Sequence, residues 1–166
     1  MTDAQWELVK QAKNGDSNAF ALLYRKYYND LYRFALCYME NPVMAQDAVS
    51  EAVLTAYEKL PELRKDSAFK SWIFSITANT CKQALRKRNE VSLPDDYDKP
   101  VREDGYMSLE LMSLLKSLDD KERLVVTLSV FSGYRSSEIA SMLKLRPGSV
   151  RSIKSRALEK LRKSIR

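Results

Sequence analysis

Residues 136–163 read SSEIASMLKLRPGSVRSIKSRALEKLRK. Ile139, Ala140 and Leu143 recur at helical spacing and form one face of a short helix. Ser136 is its candidate N-cap. Leu145 fills a turn, and Pro147 or Gly148 opens a last helix, since Pro suits a first helical turn. At 100° per residue, Val150, Ile153, Ala157, Leu158, Leu161 and Ile165 share one arc of that helix. Arg151, Ser152, Ser155, Glu159 and Arg162 lie on the opposite arc, with Arg156 at its edge. A short helix, a turn and a longer basic helix make a helix-turn-helix.

That arrangement has a physical use. A recognition helix presents residues near its N-terminus to base edges in the major groove. Arg151 and Arg156 can contact guanine in bidentate fashion, and Ser152 and Ser155 can contact bases or phosphate. Lys160, Arg162, Lys163 and Arg166 are placed for phosphates, a contribution that weakens with salt. An amphipathic terminal helix with a solvated basic face is the plainer reading. The capped short helix, the Leu-containing turn and the Pro-Gly-Ser-Val entry favour DNA.

Working toward the N-terminus, residues 108–118 and 120–132 are expected to be helical, with Gly133 past the end of the second. Residues 89–108 hold six acidic and two basic residues, with Pro94, Pro100 and Gly105 among them. They lack apolar periodicity and read as an acidic linker. The expected organisation is an all-α chain of two small helical domains, 1–90 and 108–166, joined by a linker at 91–107.

The first domain reads as four helices. One covers 3–13. Asp16 can cap a second to Met39, whose Phe20, Leu23, Tyr24, Tyr27, Leu31, Phe34, Ala35 and Tyr38 keep helical spacing. Asn41-Pro42 starts a third, ending near Leu60-Pro61. Its inner arc is Ala45, Ala48, Val49, Ala52, Ala56 and Leu60. Its outer arc mixes Asp47, Glu51 and Glu58 with Met44 and Leu54. Solvated acids are the plainer account of that face, but interspersed apolar residues suggest protein binding. Asp66 or Ser67 can cap the fourth helix.

The fourth helix includes SWIFSITANTCKQALRKR, residues 71–88. Phe69, Trp72, Ile73 and Ile76 form one apolar stripe, and Phe74, Ala78, Cys81 and Leu85 a second. Between them run Ser71, Ser75, Asn79, Lys82 and Arg86. A basic end can simply complement the helix dipole. Hydrogen-bonding groups followed by cations also suit a nucleic-acid strand.

Composition narrows the function classes. The 166 residues include no His and carry a formal net charge of +6, with a pI near 9.3. The commonest general base and metal ligand is missing, and no Gly-rich phosphate loop occurs. Cys37 and Cys81 stand apart with no CxxC context and read as buried thiols. The expectation is a cytoplasmic DNA-binding protein that is not an enzyme, with no cofactor, metal or membrane insertion.

DSAFKSWIFSITANTCKQALRKR resembles the promoter-melting segment of bacterial sigma factors of the extracytoplasmic-function (ECF) class. LDDKERLVVTLSVFSGYRSSEIASMLKLRPGSVRSIKSRALEKLRK resembles their C-terminal domain. The resemblance implies a factor that binds RNA polymerase core and directs it to promoter DNA. Arg151, Ser152, Ser155 and Arg156 would then read the −35 element as duplex, with Lys160 and Arg162 beside the backbone. Leu63, Lys65 and Asn79 would bound a pocket for a flipped −10 base, with Lys82 and Arg86 near the strand. Met44, Asp47, Glu51 and Leu54 would face the polymerase. The family often reads DAEDLVQEVF where this chain reads MAQDAVSEAV, and an aromatic is frequent where Leu63 stands. An anti-sigma factor is a further candidate partner. A helix-turn-helix regulator with a helical interaction domain is the main alternative, and segment 63–86 discriminates against it. A helical interaction protein that no longer binds DNA is a third reading.

Overall fold

The computed structural model describes residues 2–91 and 109–165. Among them there are helices and no strands. In chain order these are α1 (Asp3–Lys13), α2 (Ser17–Met39), α3 (Pro42–Lys59), α4 (Phe69–Val91), α5 (Leu109–Lys116), α6 (Asp120–Val126), α7 (Ser136–Leu143) and α8 (Pro147–Ile165). Two 3-10 turns, Leu60–Glu62 and Asp66–Ala68, link α3 to α4. The expected linker, apart from Val91 in the last turn of α4, lies outside the described residues.

Local chemistry sets most helix ends. The Asp16 carboxylate accepts from the amides of Asn18 and Ala19, satisfying donors that the first turn of α2 leaves open. Glu40 ends α2 in the left-handed region, at φ 57°. The Asn41 side chain then accepts from the Met44 amide at 3.0 Å to start α3. Two expected caps differ. Asp66 does not cap α4; it lies in a 3-10 turn and pairs with Lys13 at 2.8 Å. Ser136 is the first residue of α7, and the Arg135 amide before it donates to the Glu138 carboxylate at 2.7 Å. A carboxylate reaching back three residues thus replaces the expected hydroxyl cap.

In the first four helices α3 packs on both α2 and α4, and α1 packs on α2. The inner face of α3 is small: Ala45, Ala48, Ala52 and Ala56 are all buried. Small residues let helix axes approach closely, and the bulk comes from Phe34, Phe69 and Phe74 on the neighbours. In the C-terminal half α8 packs on α6 and α7 through Val150, Ile153 and Ala157. Ile165, expected on the inner arc, is 70% exposed. Helix α6 continues as a π turn over Thr127–Phe131, and Gly133 follows at φ 73°. Lys144 is left-handed at the end of α7, and the Leu145 amide donates back to the Ala140 carbonyl. That tight turn sets α7 against α8.

The two halves share buried surface. Phe74 of α4 meets Phe34 of α2 and Tyr134, which precedes α7, with ring centroids 6.1 and 5.3 Å away. Cys37 of α2 is fully buried in a cluster with Leu115, Leu118, Val126 and Ala157 of the C-terminal half. Burial pushes both thiols, Cys37 and Cys81, up to about 12.

Candidate nucleic-acid and polymerase interfaces

Helix α8 turns its polar arc outward. Arg151, Ser152, Ser155, Arg156 and Arg162 are exposed, and Lys154 is half-buried. The Ser152 hydroxyl donates to the Gly148 carbonyl at 3.0 Å, so it must rotate to donate to a base but can accept from one as it stands. Lys160 behaves differently from the expectation. Its ammonium lies 2.7 Å from the Glu122 carboxylate, which is 7% exposed. A nearly buried carboxylate needs a counter-charge, so Lys160 fastens α8 to α6 and is less available to a phosphate. Lys163 pairs with Glu159 one turn away at 2.9 Å. That hydrogen bond and charge hold the Glu159 carboxyl below its ordinary range. The outward cations nearest the start of α8 are therefore Arg151 and Arg156.

The loop before α4 is held in place by α1. Lys13 donates to the Leu63 carbonyl at 2.8 Å and pairs with Asp66. Leu63 is 5% exposed, so it forms a floor and not a protruding contact. Above it lies a cleft of about 610 Å³. Leu63, Arg64, Lys65, Ser71, Trp72 and Ser75 line one side; Ser137, Glu138, Ser141 and Met142 of α7 line the other. Ser71 donates to the Ala68 carbonyl, and Ser75 donates across the domains to the Met142 carbonyl at 3.3 Å. Farther along α4, Asn79, Lys82 and Arg86 are exposed. Lys82 and Arg86 line a second cleft of about 440 Å³ against Asp120, Lys121, Leu143 and Leu145. Asn79 lies between the two clefts in sequence and lines neither. Arg64 belongs to the loop LRKDSA, residues 63–68, on which the family resemblance places the pocket, and Trp72 is a cleft residue expected only in the apolar stripe. Trp72 keeps the spacing of the apolar stripe, so only its half-buried state distinguishes it from core.

The outer arc of α3 carries Asp47, Glu51 and Leu54, all exposed, Leu54 at 67%. Val43 belongs to the same arc at 51% exposure and was not anticipated. Met44 turns partly inward: it packs against the core, and its sulfur lies 3.9 Å from the Arg88 guanidinium. The outer face is therefore acidic with apolar points at Val43 and Leu54.

Residues 23–91 match the family described as sigma-70 region 2, and residues 108–161 match sigma-70 region 4. The ECF RNA polymerase sigma-E factor of Escherichia coli strain K12 is 30% identical, over 92% of this chain and 89% of its own. The chain belongs to the ECF sigma factors. The region 2 match includes segment 63–86, which removes the helix-turn-helix regulator as an alternative. As an ECF sigma factor it directs RNA polymerase to promoters for transcription initiation and is not an enzyme. Its partners are RNA polymerase core and promoter DNA. Two solved structures share the fold of this sigma factor. CnrH in complex with the cytosolic domain of CnrY has a TM-score of 0.77 at 24% identity, covering 98% of this chain and 97% of that one. RpoE from Bartonella quintana, in complex with the anti-sigma factor NepR, has a TM-score of 0.75 at 24% identity, covering 87% and 94%. No helix among the described residues of the factor is long and apolar enough to cross a membrane.

Proposed function

We propose that the factor divides promoter recognition between α4 and α8 while α3 holds the polymerase. On α8, Arg151 and Arg156 read bases of the −35 duplex with Ser152 and Ser155 between them, and Arg162 meets the backbone. On α4, the cleft over Leu63 and Lys65 accepts a base flipped from the −10 element, and Lys82 and Arg86 follow the strand. The exposed α3 arc of Asp47, Glu51 and Leu54, bordered by Met44, docks on core. The factor acts in the cytoplasm, and the anti-sigma partner of the Bartonella quintana relative supports a partner of that kind here.

The observation that carries this reading is the polar line on α4. It opens beside a cleft at Ser71 and Ser75 and runs out through exposed Asn79, Lys82 and Arg86. Flipping a base costs a few kcal/mol of unstacking, and pocket contacts can offset it. Asn79, which lies beyond the cleft, carries both a donor and an acceptor for a base edge of the strand that leaves it.

Replacing Asn79 with alanine is expected to lower the rate of −10 opening by about tenfold, from loss of base-edge hydrogen bonds worth roughly 1–3 kcal/mol, with −35 duplex binding unchanged. Permanganate footprinting of the melted region against duplex gel shifts measures the two separately. Equal loss in both assays removes the strand assignment. Arg151→Ala is expected to do the reverse. It should cost about 1–3 kcal/mol of −35 affinity and relax preference at one base position. A uniform loss across all −35 sequences, with a shallower salt dependence, would make Arg151 a phosphate contact instead.

A further inference from the structure

Helix α1 lies before the region 2 match, which begins at residue 23. Its buried residues are Gln5, Val9 and Ala12, and it packs on α2 and touches both 3-10 turns between α3 and α4. Its last residue is Lys13. The Lys13 ammonium donates to the Leu63 carbonyl and to the Asp66 carboxylate, both at 2.8 Å. These acceptors stand at the two ends of segment 63–66. Leu63 and Lys65 within it have extended backbone, at ψ 109° and 116°. The backbone hydrogen bonds around it are local. The Leu63 amide donates to the Leu60 carbonyl, and the Lys65 and Asp66 carbonyls accept from the amides of Ala68 and Phe69. Each of these stays on one side of Arg64. The two bonds of Lys13 span it.

The middle of the segment faces the larger cleft. Arg64 and Lys65 are both exposed and line it beside Leu63. We propose that Lys13 is a positioning residue for −10 recognition. By tying residues 63 and 66 to one point on α1, it fixes where Arg64 and Lys65 stand at the cleft and so sharpens the choice among bases. This rests on the assignment of that cleft to the flipped −10 base. One ammonium bonded to both ends of a short arc limits how far the arc can open or twist. Recognition groups need that support, because a site held loosely loses its hydrogen-bond geometry. Two of the three ammonium donors are already occupied and the side chain is 25% exposed, so Lys13 is poorly placed to hold a phosphate itself. Partly exposed ion pairs add little to global stability, so the segment can be released without unfolding the domain.

The test uses holoenzyme assembled with purified core. Its probe is the non-template −10 strand of a promoter that the holoenzyme selects, with each base of the element replaced in turn. Fluorescence anisotropy gives the affinity ratio between preferred and replaced base at each position. Lys13→Met keeps the apolar stem and removes the donors, whereas Lys13→Arg keeps charge and donors. Lys13→Met should lower the ratio by about fivefold or more at one position. Ratios at the other positions, −35 duplex affinity, the salt dependence of strand binding and the urea midpoint should stay close to wild type. Lys13→Arg should restore most of the lost ratio.

A fold that is merely weakened lowers every affinity together and leaves the ratio alone. A wild-type preference that survives Lys13→Met at every position therefore overturns the proposal while sparing the cleft. A uniform loss across bases, with a shallower salt dependence, would make Lys13 a phosphate contact and overturns it too. So does a ratio that Lys13→Arg fails to restore, since the donors would not be the cause. If wild-type holoenzyme initiates transcription yet shows no preference at any −10 position of the strand, the cleft assignment itself fails and takes the role of Lys13 with it.

Discussion

Phe34→Ala is expected to lower the unfolding free energy by about 3–5 kcal/mol, the range for deleting a fully buried phenylalanine ring. Phe34 has no exposed surface. It stacks on Tyr38 one turn away and meets Phe74 edge-on, with centroids 6.2 and 6.1 Å distant. Phe74 in turn meets Tyr134, so the void opens where α2, α4 and the C-terminal half converge. The small alanine face of α3 is closely packed on α2 and α4 and offers little bulk to refill it. Against a total stability of about 5–15 kcal/mol for such domains, this is a large fraction. Urea unfolding should show the midpoint falling with the slope preserved. A loss below about 1 kcal/mol would mean that the site collapses freely, contrary to the packing described.

The paired substitution Asp47→Arg with Glu51→Arg should weaken core polymerase binding by about 100-fold or more, because like charges set across an interface cost several kcal/mol. Both residues are exposed, four apart on the outer arc of α3, so the fold should be untouched. Core affinity by fluorescence anisotropy is the measurement, and −35 duplex binding by the full-length variant is the control. Wild-type core binding would remove the α3 face from the docking account. Loss of duplex binding alongside would indicate a folding defect.

Much of this architecture was legible because helix ends are local chemistry. Asp16, Asn41-Pro42 and Gly133 each act within a few residues of where they stand. The stripes of α3 and α4 were legible for the same reason, since periodicity needs no knowledge of partners. What escaped was long-range. Lys160 has the look of a phosphate contact, and nothing near it in sequence reveals that Glu122, 38 positions away, needs its charge. Leu63 sits in a polar loop, so its burial follows only from Lys13 drawing that loop onto α1. Cys37 reads as a small buried hydrophobe, and it is one. That the other domain covers it depends on Leu115, Leu118, Val126 and Ala157, which would be equally at home within their own core. Ile165 keeps the inner spacing of α8 but stays exposed, because the helix outruns the elements it packs on.

On the proposed reading, this chain gives core polymerase its promoter specificity through α4 and α8. In vitro transcription with purified core and a randomised promoter library tests it most directly. The chain is expected to co-purify with core, and transcripts to start from promoters sharing one −35 and one −10 sequence. A chain that neither co-purifies with core nor supports initiation from any promoter in the library would contradict it.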